Sequence, residues 1–337
     1  MTLPSNTDTD DMHSLVRAFP RLLESDPLEE AMLRACTDLR HDGLHGICLL
    51  GMGGSSIANQ YTVSLLQSRT KTPVLSIHDY SIPEYVDHNY VMIAVSYSGN
   101  TEETLAAHRE AVRRGSPTFC VTSGGALSRE SRHLLSLPEG LPPRAALPLI
   151  LAKVLPLTEA LCNLQLTDLK TVGLKLEEMV KSWDSQWRPP EDTAGDLLGR
   201  IPVFMGADHL VPVAYRAKCQ TNENAKTEAF FSTIPEANHN EIEGFTSGRA
   251  KLLCPVILRS GIGREENDRR IKTTTEVLEN LGYRPLILRA VGDSMIEEML
   301  SLTHYLDAVT LAWADLRGVD PIDVSRITLL KDKIHRG

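Results

Sequence analysis

The chain has 337 residues, of which 42% are hydrophobic and 23% are charged, and its formal net charge at pH 7 is −9. This length accommodates two core-forming units, since a single domain usually holds about 100–200 residues. The acidic balance argues against a broad nucleic-acid-binding surface, although a small anion can still bind where cations or helix N-termini are concentrated.

The six cysteines are scattered and lack the paired spacing of a metal site or a disulfide framework. We therefore expect buried free thiols in a reducing compartment, and a cytoplasmic protein. Residues 1–11 are polar and acidic, and they are predicted to be disordered rather than to form a signal peptide. No apolar run approaches membrane-spanning length, so no membrane partner is expected.

Residues 12–41 are predicted to be helical, with interruptions at Pro20 and Pro27 because proline disrupts a helix interior. Apolar runs with many β-branched residues then alternate with helical patterns. In the first half of the chain the predicted strands are residues 46–50, 73–78, 90–95 and 118–122, and residues 145–181 are predicted to be helical.

The pattern restarts after residues 182–199, which contain Trp183, Trp187 and two consecutive prolines and are predicted to be a connector. The strands predicted beyond it are residues 201–206, 255–258 and 285–288. A helix over 294–316 is predicted from an apolar residue at every third or fourth position, and Gly318 is its predicted end.

Near-continuous apolar strands that alternate with helices are typical of a parallel sheet with helices on both faces. The sequence therefore predicts an α/β protein with two similar lobes. Its expected parts are an N-terminal helical segment (1–41), a first lobe (42–181), a connector (182–199) and a second lobe with C-terminal helices (200–337).

Two turns rich in small residues follow predicted strands, at the edge where parallel sheets bind ligands. The first is Gly51-Met52-Gly53-Gly54-Ser55, whose glycines permit close backbone approach to a ligand. The second is Ser96-Tyr97-Ser98-Gly99-Asn100-Thr101, which leads into a helical pattern. A helix N-terminus with nearby hydroxyls suits a small anion. Asn100 is predicted to cap this helix, together with Glu103.

The first turn also has features of a dinucleotide-binding fingerprint, with Asp79 as a possible partner for the ribose. However, Ser56 stands where the third glycine is required. The chain has no Gly-Lys-Ser/Thr motif, which argues against a nucleoside triphosphatase. A nicotinamide-dependent dehydrogenase remains an alternative at this point.

Four further residues have side chains that carry acid–base or charge chemistry. Glu223 lies among uncharged polar residues at the end of a helical run, where a carboxylate can act as a general base. His239 can transfer protons near neutral pH, but it lacks the His-Glu-x-x-His spacing of a zinc site, so no metal is expected. Arg144 follows two prolines, and Lys331 lies near the C-terminus. On spacing alone, a structural or solvated role is the better explanation for each of the four.

Taken together, these segments resemble the sugar isomerase (SIS) fold, and more closely the family of bifunctional phosphoglucose/phosphomannose isomerases. The matching motifs occur in the order of that family and span most of the chain. They are Gly51–Ser55, Ser96–Thr104, Pro143-Arg144, Asn222–Lys226, Glu236–Glu241, and Gly318–Pro321 leading to Leu330-Lys331. The resemblance implies two SIS-type lobes, each a mostly parallel sheet flanked by helices.

The resemblance also implies a role for each site residue. Ser96, Ser98 and Thr101 would hold the phosphate of a sugar phosphate, and Gly53, Gly54 and Ser55 would line the sugar. The enzyme would interconvert glucose 6-phosphate, and also mannose 6-phosphate, with fructose 6-phosphate, without a cofactor or a metal.

The proton-transferring residues follow from the same resemblance. Glu223 would move a proton between C1 and C2 through a cis-enediol(ate), and Arg144 would stabilise the negative charge of that intermediate. His239 and Lys331 would assist ring opening. In relatives this histidine comes from the neighbouring subunit, so a homodimer is implied.

The chain departs from the family pattern at three places: residues 56–60, Ala126 and Val324. Val324 offers no hydroxyl or amide to position a water, which leaves glucose 6-phosphate as the better supported substrate. Two alternatives to this activity remain: a non-catalytic SIS protein that binds a sugar phosphate, and an isomerase for another phosphorylated sugar.

Overall fold

The computed structural model of the chain describes residues 7–24, 26–41 and 43–336. Residues 1–6 of the segment that is expected to be disordered lie outside the described residues. The strands are β1 (Gly46–Leu50), β2 (Val74–Ile77), β3 (Tyr90–Val95), β4 (Thr118–Thr122), β5 (Leu134–Ser136), β6 (Ile201–Ala207), β7 (Phe230–Ile234), β8 (Leu253–Arg259) and β9 (Leu286–Arg289).

The α-helices are α1 (Met12–Leu22), α2 (Glu30–His41), α3 (Gly53–Leu66), α4 (Glu102–Arg113), α5 (Gly125–Glu130), α6 (Leu147–Leu161), α7 (Leu169–Val180), α8 (Trp183–Gln186), α9 (Pro190–Leu197), α10 (Val211–Glu223), α11 (Glu265–Asn280), α12 (Met295–Arg317) and α13 (Ser325–Arg336). Short 3₁₀ helices are formed by Asp208–Leu210, Glu236–His239, Glu241–Gly244 and Ser247–Arg249.

The chain forms two compact units. The first unit is built mainly from Arg17–Glu178, and the second from Asp10–Val16 together with the chain from Met179 onward. The sheet of the first unit has the order β2-β1-β3-β4-β5, and that of the second has the order β7-β6-β8-β9. All neighbouring strands are parallel. The predicted α/β class, with two parallel sheets flanked by helices, is therefore confirmed.

Each sheet is held by a continuous apolar core. Along β1 and β4 every residue is buried, because helices cover both faces of a parallel sheet. In the second unit Met205 of β6 and Ile257 of β8 pack with Ile271 and Leu278 of α11. The burial explains why these strands are near-continuous apolar runs in the sequence.

The structure differs from the sequence-based expectations at several elements. Pro20 lies inside α1, so the predicted interruption there is wrong. The predicted helix over 145–181 is two helices, because Asn163 adopts a left-handed backbone (φ 55°) after α6. Residues 182–199, expected to be a connector, contain α8 and α9. The edge strands β5 and β7 are not identified from the sequence.

All six cysteines are free thiols, and four of them are buried: Cys36, Cys48, Cys120 and Cys254. Burial raises the pKa of the Cys48 thiol to about 12. These thiols therefore behave as small apolar side chains rather than nucleophiles. No helix in the described part of the chain has both the length and the apolar character that a membrane crossing requires.

Candidate active site

The turn between β3 and α4 brings together the three hydroxyls predicted to bind phosphate. Ser96 is buried, and its Oγ lies 2.9 Å from Thr101 Oγ1. It also accepts a hydrogen bond from the Gly99 backbone N–H at 3.1 Å. Ser98 is exposed, and its Oγ accepts the Asn100 N–H at 3.3 Å. The turn is thus a compact, hydroxyl-lined loop at the end of a buried strand.

The helix that follows this turn starts without a protein side chain on its first N–H groups. Thr101 is its N-cap residue and makes no side-chain cap hydrogen bond. The prediction that Asn100 caps this helix is wrong, because its Oδ1 accepts the Ala126 N–H instead, at 3.0 Å. Among the described residues, the backbone N–H groups of Glu102 and Glu103 have no acceptor. Donors of this kind, at the positive end of a helix dipole, suit an anion.

The glycine turn lies at the same edge of the sheet, since β1 and β3 are paired in parallel with Leu50 opposite Ala94. Gly53 is left-handed (φ 54°), and it begins α3. A Cβ on Gly54 would lie 2.8 Å from the carbonyl oxygen of Pro143 and 3.3 Å from Cα of Arg144. Gly54 therefore permits the Pro143-Arg144 backbone to lie against the glycine turn, next to buried Ser55.

Arg144 is 5% exposed and precedes α6 in a turn that contains Pro142 and Pro143. Tyr97, which sequence reasoning did not select, helps to hold the segment that leads to it. The Tyr97 hydroxyl donates to the Pro138 carbonyl at 2.7 Å and accepts the Leu141 N–H at 3.0 Å. Burial raises the pKa of this phenol. The hydroxyl turn, the glycine turn and Arg144 are therefore brought together in the first unit.

Glu223 belongs to the second unit, where it is the last residue of α10 and is half-buried. The chain just beyond it is held by polar side chains. Asn224 Nδ2 donates to Thr310 Oγ1 at 3.0 Å, and Asn222 Nδ2 donates to the Thr227 carbonyl at 2.8 Å. Lys226 Nζ donates to the backbone carbonyl of Glu223 itself. Glu223 therefore stands at a helix end whose backbone is fixed on several sides.

Lys226 also connects this helix end to the segment before α13, because its Nζ donates to the Asp323 carbonyl at 2.6 Å. Lys331 is exposed on α13. His239 ends the 3₁₀ helix Glu236–His239, and its side chain is exposed. Within the described ranges neither His239 nor Lys331 has a side-chain hydrogen bond or ion pair. The structure thus links the Glu223 backbone to the segment before α13, but no bond joins His239 to either.

The described part of the chain contains no group of three or more His, Cys, Asp or Glu side chains arranged to hold a metal ion. Of the departures from the family pattern, Ser56 has a defined partner. Its Oγ lies 3.0 Å from Nδ1 of His78 and accepts the Gln60 amide at 3.1 Å. These contacts make Ser56 part of the packing between α3 and the end of β2.

Comparison with known proteins agrees with this architecture. Residues 45–161 match the model of the SIS domain, and residues 187–334 match that of the bacterial phospho-glucose isomerase C-terminal SIS domain. Among solved structures, tagatose-6-phosphate ketose/aldose isomerase from Escherichia coli superposes with a TM-score of 0.73. It covers 95% of this chain and 96% of its own, at 15% identity, which shows the shared fold.

Two sequence relatives are similar along nearly the whole chain. The bifunctional phosphoglucose/phosphomannose isomerase of Aquifex aeolicus (strain VF5) is 32% identical over 300 residues, which cover 86% of this chain and 91% of the relative. The protein of the same description from Thermoplasma acidophilum (strain ATCC 25905) is 35% identical over 299 residues, 86% of this chain and 89% of the relative. The chain therefore belongs to the bifunctional phosphoglucose/phosphomannose isomerase family.

Proposed function

We propose that this protein is an aldose–ketose isomerase that interconverts glucose 6-phosphate and mannose 6-phosphate with fructose 6-phosphate. The observation that carries the proposal is the turn between β3 and α4. It presents three hydroxyls and a helix N-terminus without a side-chain cap, in a chain of this family. Ser96, Ser98 and Thr101 bind the phosphate there, and Gly53, Gly54 and Ser55 line the sugar.

Glu223 is the proposed base. Its carboxylate removes the proton from C2 of the open-chain aldose, the electron pair moves to the C1 oxygen, and a cis-enediolate results. Transfer of the C2 hydroxyl proton to the C1 oxygen, together with return of the abstracted proton to C1, then gives the ketose. Glucose and mannose 6-phosphates give the same intermediate because C2 becomes planar. One base serves both sugars when rotation about the C2–C3 bond brings the C2 hydrogen of each epimer to the same carboxylate. Arg144 stabilises the developing negative charge, an effect that often dominates catalysis.

His239 and Lys331 are proposed to open the sugar ring by moving a proton between the ring oxygen and the C1 hydroxyl. Both side chains are exposed in a single chain, and neither has a polar partner within the described residues. The proposed enzyme is a cytoplasmic homodimer in which the neighbouring subunit supplies His239, and the exposure of this side chain leaves it available for that role.

Replacement of Glu223 by Gln tests the proposed base. A positioned general base contributes roughly 10²–10⁴ in rate, so a coupled assay should show kcat reduced by about that factor with all three sugar phosphates. Glu228→Gln, an exposed carboxylate five residues further on, is the matched control and should retain the wild-type kcat.

Equal rates for wild type and Glu223→Gln would remove Glu223 from the mechanism. Binding of the sugar phosphates by the wild type without any turnover would instead support the non-catalytic alternative. Turnover of a different phosphorylated sugar alone would show that substrate preference has changed within the family.

A further inference from the structure

The two units repeat one connection pattern. In the first unit the central strands β1 and β3 lead into α3 and α4, and in the second unit β6 and β8 lead into α10 and α11. The turns after β6 and β8 are therefore the counterparts of the glycine turn and the hydroxyl turn. Both lie at the point where strand order reverses, where open α/β sheets bind ligands.

Individual residues correspond as well. Ser96 and Ser260 are each the first residue after their strand, and each hydroxyl accepts a backbone N–H of its own turn, from Gly99 at 3.1 Å and from Ile262 at 3.0 Å. Gly53 and Asp208 each stand two residues after a glycine and are left-handed, with φ of 54° and 49°. Aspartate is one of the few non-glycine residues that adopt this conformation, because its short side chain can hydrogen-bond locally.

The turns of the two units differ in which acceptors their hydrogen-bond donors contact. Glu298 of α12 is 1% exposed and accepts three hydrogen bonds. They come from His209 Nε2 at 2.6 Å, from Ser260 Oγ at 2.5 Å and from the Gly261 N–H at 2.6 Å. Burial opposes ionisation of Glu298, but these hydrogen bonds outweigh it and lower the pKa of the carboxyl group. An ionised carboxylate thus lies on the donors of this turn.

Asp208 supplies a second carboxylate. Its Oδ2 accepts the Arg264 N–H at 3.2 Å, at the start of α11, and its Oδ1 accepts the Asn267 side-chain amide at 2.9 Å. The equivalent N–H of the first unit is that of Thr101, the N-cap residue of α4, and it has no acceptor among the described residues. In the first unit the counterpart of Asp208 is a glycine, which leaves that space open.

The charged side chains that line the cavity at the second turn are balanced in number. This cavity has a volume of about 310 Å³, and the formally charged side chains that line it are Asp208, Glu265, Asp268, Arg259, Arg264 and Arg289. Arg259 donates two hydrogen bonds, of 2.6 and 2.9 Å, to the carboxylate of Asp268. A lining with equal numbers of both charges offers a dianionic phosphate little net attraction.

We propose that Glu298 and Asp208 are internal ligands of the second unit. Their carboxylates occupy the positions that correspond to those of the phosphate and the sugar in the first unit. The anion positions of the second turn are therefore occupied by the chain itself, and each chain binds one phosphosugar. This inference rests on the proposed function for the location of the phosphosugar in the first unit.

Chemical rescue tests the internal ligand directly. Glu298→Ala should lower the Tm and create a carboxylate-sized space lined by the donors of His209, Ser260 and Gly261. Added formate or inorganic phosphate should then raise the Tm of this variant by about 2–4 °C more than that of the wild type. Glu298→Gln is the control, because its amide fills the space and should prevent rescue. Equal anion effects on all three proteins would overturn the proposal.

Asp208→Gly provides a milder variant if Glu298→Ala does not fold, because Asp208 lies near the surface and the change restores the residue type of the first unit. We expect phosphate to stabilise Asp208→Gly, and not Asp208→Asn, which keeps a side-chain acceptor. If phosphate affects the two variants alike, Asp208 does not occupy an anion position.

Calorimetry with glucitol 6-phosphate, an analogue that cannot isomerise, measures the stoichiometry. We expect one molecule bound per wild-type chain. Two per chain would overturn the internal-ligand proposal. No binding, combined with anion rescue of Glu298→Ala, would leave the internal ligand standing and contradict the proposed function of the first unit.

Discussion

Gly99 determines how tightly the hydroxyl turn packs against the turn that follows β4. Its backbone is left-handed (φ 66°), and a Cβ there would lie 1.8 Å from the carbonyl oxygen of Gly124. The Gly99 carbonyl also accepts the Leu127 N–H at 2.9 Å. No side chain can be added without moving backbone atoms, so the shape of the proposed phosphate site depends on this residue.

We expect Gly99→Ala to reduce the free energy of unfolding by more than about 2 kcal/mol, since backbone strain and a steric clash add. Gly140→Ala is the control, because Gly140 is also left-handed (φ 96°) but has open space around its Cβ position. It should lose only about 1 kcal/mol. Urea unfolding measures both, and equal losses would show that the contact with Gly124 is unimportant.

His304 is the buried group with the clearest consequence for pH dependence. Its Nε2 donates to the Val16 carbonyl at 2.8 Å. This carbonyl has no helical donor, because Pro20, four residues further along α1, has no N–H. Burial lowers the pKa of His304 to about 4. The unfolded state therefore binds more protons than the folded state between about pH 6.5 and 4. Stability is lost as the pH falls through this window.

The size of that loss can be measured by comparing the wild type with His304→Gln, whose amide can still donate to Val16. Between pH 7 and pH 4.5 we expect the free energy of unfolding of the wild type to fall by about 2–3 kcal/mol more than that of the variant. Parallel pH profiles for the two proteins would contradict this assignment.

At the scale of elements, α10 and α12 are joined by polar contacts along their length. Arg216 and Asp307, each with a side chain 2% exposed, form two hydrogen bonds of 3.1 and 2.6 Å. Thr310 Oγ1 donates to the Asp307 carbonyl at 2.8 Å and accepts from Asn224, the residue after Glu223. The position of the proposed base therefore depends on how α10 is fastened to α12.

Asp307→Ala should destabilise the protein by about 3–5 kcal/mol, because it leaves the buried Arg216 guanidinium without this carboxylate. The double variant Arg216→Met/Asp307→Leu removes both charges and should be more stable than the single variant. Denaturant unfolding measures the free energy of unfolding of both variants. If the double variant is no more stable than Asp307→Ala, the pair acts through shape rather than charge.

At the scale of the whole molecule, the proposed dimer predicts that subunits complement one another. A heterodimer of Glu223→Gln and His239→Ala subunits contains one site with both wild-type residues, whereas each variant alone has none. Mixing the two inactive proteins should therefore restore activity. Persistent inactivity in heterodimers verified by differential tags would argue that His239 acts within its own chain.

Much of this architecture was accessible from residue patterns. The strand over 46–50 and the helix end at Gly318 were predicted and are confirmed, because burial on both faces demands apolar runs and a left-handed helix end favours glycine. Two of the four edge strands, β5 and β7, were missed, whereas the edge strands β2 and β9 were predicted. β5 has only three residues, of which the middle one is buried, and this alternation is too short to be recognised in a sequence.

The sequence by itself determined the two parallel sheets and the small-residue turns at their strand ends, since local periodicity and residue size specify both. Only the tertiary structure decided which groups occupy those turns. Ser260 and His209 meet Glu298 from positions 38 and 89 residues away, and the cap expected of Asn100 was replaced by a bond to Ala126, 26 residues further on. Hydrogen bonds between segments that are distant in the sequence depend on the tertiary fold. A short stretch of residues does not specify which distant segment it will contact.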